Sequence, residues 1–161
     1  MNAALLILSD KGAQGKREDT TGPQMRAWLQ QRGVEVDEYT ILADEEDEIA
    51  TYLRTKADAG RFDLIITCGG TGVAPRDRTP DATLRVVERQ IPGFAEEMRR
   101  ASAEKTPAAL LSRAVAGICG TTLILNVPGS PRAAQENLAA VWDAIPHAVA
   151  KIQGDTRDCV M

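Results

Sequence analysis

The sequence predicts an α/β fold, a three-layer αβα sandwich with a mostly parallel central sheet, formed by a single domain over residues 1–161. Two observations predict this fold: short apolar runs alternate with amphipathic segments along the chain, and three of the apolar runs end directly in glycine-containing turns. Such alternation is typical of βαβ units, whose helices cover both faces of a parallel sheet. The length also suits one domain, since domains usually contain about 100–200 residues.

The first half of the chain alternates between strand and helix patterns. Residues 4–8 form a continuous apolar run of strand length. A helix is predicted over 23–32, because Pro23 suits the first helical position and apolar residues follow at helical spacing. A strand over 34–42 alternates apolar and polar residues, and a helix over 45–59 carries apolar residues on one face.

The second half repeats this order. Residues 63–68 include three consecutive apolar residues, which is typical of a central parallel strand covered on both faces. The remaining predicted elements are helices over 81–89 and 93–103, a strand over 123–127 and a helix from Pro131 that Pro146 bends or ends.

Composition and charge exclude several classes of function. The 19 Lys and Arg against 23 Asp and Glu give a net charge of −4, which argues against nucleic acid or a membrane surface as a partner. We expect a cytoplasmic protein, because the N-terminal apolar run is far shorter than the ~20 residues that span a bilayer and lacks the flanks of a signal peptide. Cys68, Cys119 and Cys159 contain no CxxC pair, so neither a zinc cage nor a disulfide framework is indicated.

The chain has one histidine, His147, and a single histidine excludes most types of histidine-based catalysis. Catalysis is therefore expected from carboxylates, main-chain amides and a hard metal ion.

Three polar turns each follow an apolar strand. They are Ser9-Asp10-Lys11-Gly12, Thr67-Cys68-Gly69-Gly70-Thr71-Gly72 and Asn126-Val127-Pro128-Gly129-Ser130. Ligands of open α/β sheets bind outside the carboxyl ends of the strands, so we expect the three turns to face one pocket. In the alternative interpretation, glycine and serine serve only the backbone geometry of each turn.

The turn from Gly69 to Gly72 offers unobstructed main-chain N–H groups, which suit phosphate oxygens. It is not a Walker loop, and it departs from the dinucleotide-binding pattern because Pro75 stands where the last glycine is required. Asp77 comes shortly after this turn in the sequence. A carboxylate beside a bound phosphate is accommodated when a divalent cation lies between them, which favours Mg²⁺.

The other acidic residues in these segments have either a functional or a structural explanation. Asp44 stands at the carboxyl end of another predicted strand, so it is a second candidate for the same crevice. The acidic residues 45–48 are explained by the start of a helix, and Asp81 is expected to cap the helix that it precedes.

Taken in order, these motifs resemble the MogA/MoaB family of molybdopterin adenylyltransferases. The matching residues are Ser9-Asp10, Asp44-Glu45, Gly69-Gly70-Thr71-Gly72, Arg76-Asp77-x-Thr79-Pro80-Asp81-Ala82-Thr83, Ile91-Pro92-Gly93, Thr106-Pro107, Leu111-Ser112-Arg113, Asn126-x-Pro128-Gly129 and Gly154-Asp155. They span nearly the whole chain, although molybdenum-insertase and CinA-type domains share the glycine loops.

The resemblance implies a molybdopterin-binding-domain-like fold and Mg²⁺-dependent transfer of AMP from ATP to the terminal phosphate of molybdopterin. It also implies a homotrimer and transient contact with a molybdenum insertase. Asp44 and Asp77 match the family's catalytic, Mg²⁺-associated acids. The positions carried over as binding residues are Ser9, Gly69, Gly70, Thr71, Gly72, Val86, Ser102, Ser112, Asn126, Pro128 and Gly129.

Two alternatives stay open at this point. A MoaB-like chain of this fold binds or carries molybdopterin without chemistry. A CinA-type nucleotide hydrolase releases its product in the absence of any pterin.

Overall fold

Six strands and seven α-helices follow one another in a computed structural model that describes residues 1–157. The strands are β1 (Asn2–Leu8), β2 (Glu35–Leu42), β3 (Leu64–Cys68), β4 (Arg89–Gln90), β5 (Ala116–Cys119) and β6 (Thr122–Val127). The helices are α1 (Asp10–Ala13), α2 (Thr21–Gln30), α3 (Glu46–Asp58), α4 (Thr79–Leu84), α5 (Pro92–Ala103), α6 (Pro131–Val141) and α7 (Ile145–Ile152), with 3₁₀ turns at Pro107–Leu111 and Trp142–Ala144. Cys159 lies outside the described residues.

The six strands form one mixed sheet in the order β2-β1-β3-β6-β5-β4. Strands β2, β1, β3 and β6 run parallel, and β5 and β4 extend the sheet, β5 antiparallel to β6 and β4 antiparallel to β5. The mostly parallel sheet of the sequence prediction is confirmed. Its four neighbouring parallel strands all end at the same edge.

The register brings the turns after these strands side by side. Ile7 at the end of β1 lies beside Cys68 of β3, which lies beside Val127 of β6. The N–H of Ser9 donates to the carbonyl of Leu42 at 2.9 Å, which joins the ends of β1 and β2. The turns that the sequence analysis singled out therefore start from one line across the sheet.

Helices cover both faces of the sheet. Along β1, Leu5 and Ile7 pack in a core cluster with side chains of α2, α5, α6 and α7. Leu6 and Leu8 point the other way, into a cluster with side chains of α3 and α4. This alternation is the two-residue period of a strand, and it produces the three predicted layers.

Two strands were not predicted from the sequence. Strand β4 contains two residues and β5 contains four, and β5 joins β6 through Gly120 at φ +57°. Such short segments carry too few alternations to form a pattern, so the tight hairpin is visible only in the structure.

Three helix predictions were wrong in their limits. The helix predicted over 23–32 is α2, which begins at Thr21, so Pro23 is its third residue and not its first. The helix predicted over 81–89 is α4, which ends at Leu84, and Arg89 belongs to the sheet. Pro146 neither bends nor ends the last helix, because α6 ends at Val141 and Pro146 lies in the first turn of α7. Proline fits a first turn because no helical carbonyl there needs its missing N–H.

Among the described residues, no helix is long and apolar enough to cross a membrane.

Candidate active site

The glycine turns at the sheet edge pack directly against one another. Gly69, at φ +114°, follows β3 and donates its N–H to the carbonyl of Val127 at 3.0 Å. A Cβ on Gly69 would lie 2.6 Å from the carbonyl oxygen of Leu8, and a Cβ on Gly129 would lie 3.3 Å from the Cα of Gly69. Glycine is therefore required where the ends of β1, β3 and β6 meet, and the backbone itself forms the floor of the site.

The turn over 69–72 lies between the two candidate carboxylates. A Cβ on Gly70, which has φ +62°, would lie 2.9 Å from Oδ1 of Asp44. A Cβ on Gly72 would lie 2.7 Å from Oδ2 of Asp77. No residue within 1–157 accepts a hydrogen bond from the N–H of Gly70, Thr71 or Gly72. These three donors are available to an anion, as the sequence predicted for this turn.

Asp44 belongs to a tight cluster with Asp10 and Arg76. The N–H of Asp10 donates to Oδ2 of Asp44 at 3.2 Å, and the N–H of Asp44 donates to Oδ1 of Asp10 at 3.0 Å. Arg76 donates to both oxygens of Asp10, at 2.7 and 3.1 Å, and pairs with Glu45 at 2.8 Å. The cluster connects the loops after β1 and β2 to the loop after β3.

The two aspartates of this cluster have opposite electrostatics. Burial, together with the neighbouring charge of Asp10, raises the pKa of Asp44 above the ordinary range of an aspartate. Hydrogen bonds from Arg76 lower the pKa of Asp10. A bound cation would therefore favour the ionised form of Asp44.

Asp77 is held by its own loop. Its Oδ2 accepts from the N–H of Ala74 at 2.8 Å, and its N–H donates back to the Ala74 carbonyl at 2.9 Å. This closed turn fixes the carboxylate beside Gly72. The arrangement explains how an exposed loop presents a carboxylate at a defined position.

Arg113 ties the turn over 69–72 to α4. Its Nε donates to the carbonyl of Gly72 at 2.8 Å, and its main-chain N–H donates to the carbonyl of Thr71 at 2.8 Å. Its guanidinium also donates to the carbonyl of Asp77 and to both oxygens of Asp81, the latter at 3.1 and 3.0 Å. Sequence reasoning quoted Arg113 within a motif but gave it no role, because nothing local marks a contact with a loop far upstream.

The expectation that Asp81 caps the next helix is wrong. Helix α4 starts at Thr79 with Arg78 in the N-cap position, so Asp81 lies inside the first turn and pairs with Arg113. The acidic residues 46–48 do occupy the first turn of α3, as expected.

A cavity of about 260 Å³ opens beside the turn, between α5, the Pro107–Leu111 turn and the start of α6. Five residues named from the sequence line it together: Thr71, Gly72, Ser102, Ser112 and Pro128. Arg99 adds positive charge to its wall, whereas Lys105 is paired there with Glu136 at 3.0 Å. The hydroxyl of Ser102 accepts from Nδ2 of Asn137 at 2.8 Å.

A second cavity, of about 270 Å³, lies on the other side of the Pro128–Gly129 turn. Ser9 and Gly129 line it, together with residues 17–21. The hydroxyl of Ser9 caps α1 by accepting from the N–H of Gly12 at 3.0 Å.

Val86 and Asn126 do not line either cavity. Val86 is 3% exposed and packs in the core cluster on the α3 and α4 face, opposite the first cavity. Asn126 is fully buried and accepts from the N–H of Val115 at 3.1 Å. Its amide donates to Thr67 and Thr83, both at 2.9 Å. Both residues lie beneath the site.

Asp44 and Asp77 flank the turn over 69–72 and are the two side chains that could hold the divalent cation expected from the sequence. The described residues contain no group of three or more His, Cys, Asp or Glu side chains arranged like a complete metal site. Mg²⁺ is usually bound through one or two carboxylates, with water and substrate phosphates completing its shell. Two carboxylates flanking a turn with unpaired N–H groups fit that mode of binding.

Comparisons with known proteins show what this chain is similar to. The family model described as "Probable molybdopterin binding domain" matches residues 4–147. A molybdopterin adenylyltransferase from Helicobacter pylori (strain J99) is 41% identical over 157 residues, which cover 96% of this chain and 89% of that protein. A molybdenum cofactor biosynthesis bifunctional protein from Chlorobaculum tepidum is 38% identical over 152 residues, which cover 94% of this chain and 48% of that protein.

A solved structure is also closely similar. The molybdopterin biosynthesis enzyme MoaB from Thermus thermophilus superposes with a TM-score of 0.89 at 49% identity, covering 96% of this chain and 97% of that one.

Proposed function

The chain belongs to the molybdopterin-binding family that includes the molybdopterin adenylyltransferases, and from this premise we propose that it transfers AMP from ATP to the terminal phosphate of molybdopterin, releasing pyrophosphate. The observation that carries the proposal is the turn over 69–72, with its unpaired N–H groups between Asp44 and Asp77. The reaction belongs to molybdenum cofactor biosynthesis.

The chemistry requires no histidine base. An oxygen of the pterin phosphate forms a bond to the α-phosphorus of ATP, while the bond from that phosphorus to the pyrophosphate oxygen breaks. A phosphate monoester is already largely dianionic near pH 7, since its second pKa is about 6. Catalysis then depends on alignment of the two substrates and on neutralisation of their charge.

Different residues of the site align the substrates and neutralise their charge. The N–H groups of 70–72 bind phosphate oxygens, and Asp44 and Asp77 hold Mg²⁺, which when bound offsets the negative charge of the phosphates. Arg76 keeps the Asp10–Asp44 pair in place. Arg113 fixes the turn from the other side.

The first cavity receives the pterin end of molybdopterin. Thr71, Ser102, Ser112 and Pro128 are its contact residues, and Arg99 supplies the positive charge that an anionic pterin favours. Asn126 and Val86 act indirectly in this proposal, because both are buried beneath the site.

The oligomer is a homotrimer in this proposal, and the protein works in the cytoplasm. Sedimentation at micromolar concentration is expected to give three times the 17.3 kDa mass of the chain. A stable monomer at that concentration would contradict the trimer. A transient contact with a molybdenum insertase is supported by the bifunctional relative, of which this chain spans about half.

The proposal is tested by anaerobic incubation of the protein with ATP, Mg²⁺ and molybdopterin, following both pyrophosphate and adenylylated pterin. Pyrophosphate release that requires the pterin is expected. Tight pterin binding without pyrophosphate would instead indicate a carrier, and pterin-independent release of a nucleotide product would indicate a hydrolase.

A further inference from the structure

Thr79, the first residue of α4, has a hydroxyl that the interactions above leave unused. The residue is fully buried, and its Oγ1 is the buried side-chain polar atom of residues 1–157 that lacks a hydrogen-bond partner. Buried polar atoms are almost always paired, and an unpaired one lowers stability. A hydroxyl kept at this position therefore needs an explanation.

The neighbouring side-chain amide and threonine hydroxyls already have hydrogen-bond partners. Asn126 donates to Thr67 and to Thr83, both at 2.9 Å. The Thr83 hydroxyl in turn donates to the Thr79 carbonyl at 2.8 Å, and the Thr79 N–H donates to the Gly70 carbonyl at 3.2 Å. This network already joins β3, β6, α4 and the phosphate-binding turn, so the Thr79 hydroxyl is not needed to hold them together.

The unpaired hydroxyl faces the catalytic side of that turn. A Cβ on Gly70 would lie 2.4 Å from Oγ1 of Thr79 and 2.9 Å from Oδ1 of Asp44. The two oxygens therefore lie against the same face of Gly70. Only glycine at this position lets a hydroxyl and a carboxylate approach the turn together.

We infer that Thr79 is a positioning residue for Asp44: its hydroxyl donates a hydrogen bond to the Asp44 carboxylate when Mg²⁺ and nucleotide are bound. The bond holds one carboxylate oxygen toward α4 and leaves the other toward the ligand. This inference rests on the proposed function, since it assigns Asp44 to the Mg²⁺–nucleotide complex.

The test compares Thr79→Val, which removes the hydroxyl at nearly constant volume, with Thr79→Ser, which keeps it. Thr83→Val is a matched control, because Thr83 is equally buried in the same helix but its hydroxyl is fully paired. Thr79→Val should lower kcat about tenfold or more with little change in the KM for molybdopterin, and Thr79→Ser should restore most of the loss. Thr79→Val should also melt at or above the wild-type temperature, whereas Thr83→Val should melt below it.

In the turnover and melting measurements, two results would overturn the inference: full turnover of Thr79→Val, or a fall in its melting temperature like that of Thr83→Val. Calorimetric binding of Mg²⁺–ATP to the same variants separates this inference from the proposed function. If the wild type binds Mg²⁺–ATP but releases no pyrophosphate, the proposed function fails, and weaker binding by Thr79→Val than by Thr79→Ser still supports the role of Thr79. Equal binding by those two variants, or no binding by the wild type, refutes it.

Discussion

At the scale of single residues, the site depends on two neighbouring aspartates in different surroundings. Asp10 accepts two hydrogen bonds from Arg76, whereas Asp44 is half-buried and lies beside the charge of Asp10. The same residue type is thus stabilised in its ionised form at one position and destabilised at the other. Opposed electrostatics of this kind are common where a protein binds a cation or a charged substrate.

The two aspartates should respond oppositely to substitution. The raised pKa of Asp44 means that its ionised form lowers stability, so Asp44→Asn should raise Tm at pH 7. The lowered pKa of Asp10 means that its ionised form adds stability, so Asp10→Asn should lower Tm at pH 7. The Asp44 difference should fade as the pH falls through the raised folded-state pKa toward about 4, where aspartates protonate in the unfolded chain. The Asp10 difference should fade only below about 4, as the pH falls through the lowered folded-state pKa.

Thermal unfolding between pH 3 and pH 7 measures both effects. The Asp44→Asn protein should also lose transfer activity while gaining stability, a trade-off that is common at active sites. Changes of Tm with the same sign in both variants would contradict this electrostatic account.

At the scale of elements, the turns after the strands position Asp44, Asp77 and the glycines between them. The turn over 69–72 lies between Asp44 and Asp77, and its conformation depends on glycine at two positions with positive φ. These turns could be located from the sequence, because each follows a strongly apolar strand and contains glycine. Their contacts could not, since Arg113 and Thr79 reach them only through tertiary packing of segments that no local pattern connects.

Gly70→Ala should disrupt this turn. An alanine would need a left-handed backbone, and its Cβ would lie 2.4 Å from the Thr79 hydroxyl oxygen. The free energy of unfolding should fall by about 2–4 kcal/mol, and transfer activity should be lost. Gly93→Ala is the matched control, because a Cβ there meets nothing within 4 Å and Gly93 lies in helix α5.

Urea denaturation of both variants measures the difference. The control should be as stable as the wild type or slightly more stable, since alanine favours a helix. A Gly70→Ala protein with wild-type stability and turnover would show that the turn does not have the tight packing described above.

At the scale of the whole molecule, the sheet order explains why distant segments meet. Strands β2, β1, β3 and β6 lie side by side and parallel, so residues near 9, 44, 69 and 128 share one edge although they are far apart in the chain. The apolar runs were sufficient to predict the parallel strands, the three layers and this shared edge. The hairpin of β5 and β6, the limits of α4 and the start of α7 depended on short segments and on packing, and the sequence pattern did not reveal them.

The structure also distinguishes the candidate residues that line the first cavity from those that are buried in the interior. Thr71, Gly72, Ser102, Ser112 and Pro128 meet in one cavity. The family resemblance also assigned Val86 and Asn126 to the binding residues. A sequence resemblance matches positions in a motif, and it does not show which face of the sheet a side chain occupies. The structure places both in the interior, where they support the fold around the site.

We propose that the turn over 69–72, with Asp44 and Asp77 on either side, carries Mg²⁺-dependent transfer of AMP. The most direct test is a Mg²⁺ titration of pyrophosphate release with ATP and molybdopterin, comparing the wild type with Asp77→Asn and with Asp143→Asn. Asp143 is an exposed residue just beyond the end of α6, and its replacement should leave the titration unchanged. Asp77→Asn should lower pterin-dependent release about 100-fold or more and alter its Mg²⁺ requirement. Full turnover of Asp77→Asn with an unchanged Mg²⁺ dependence would contradict the claim.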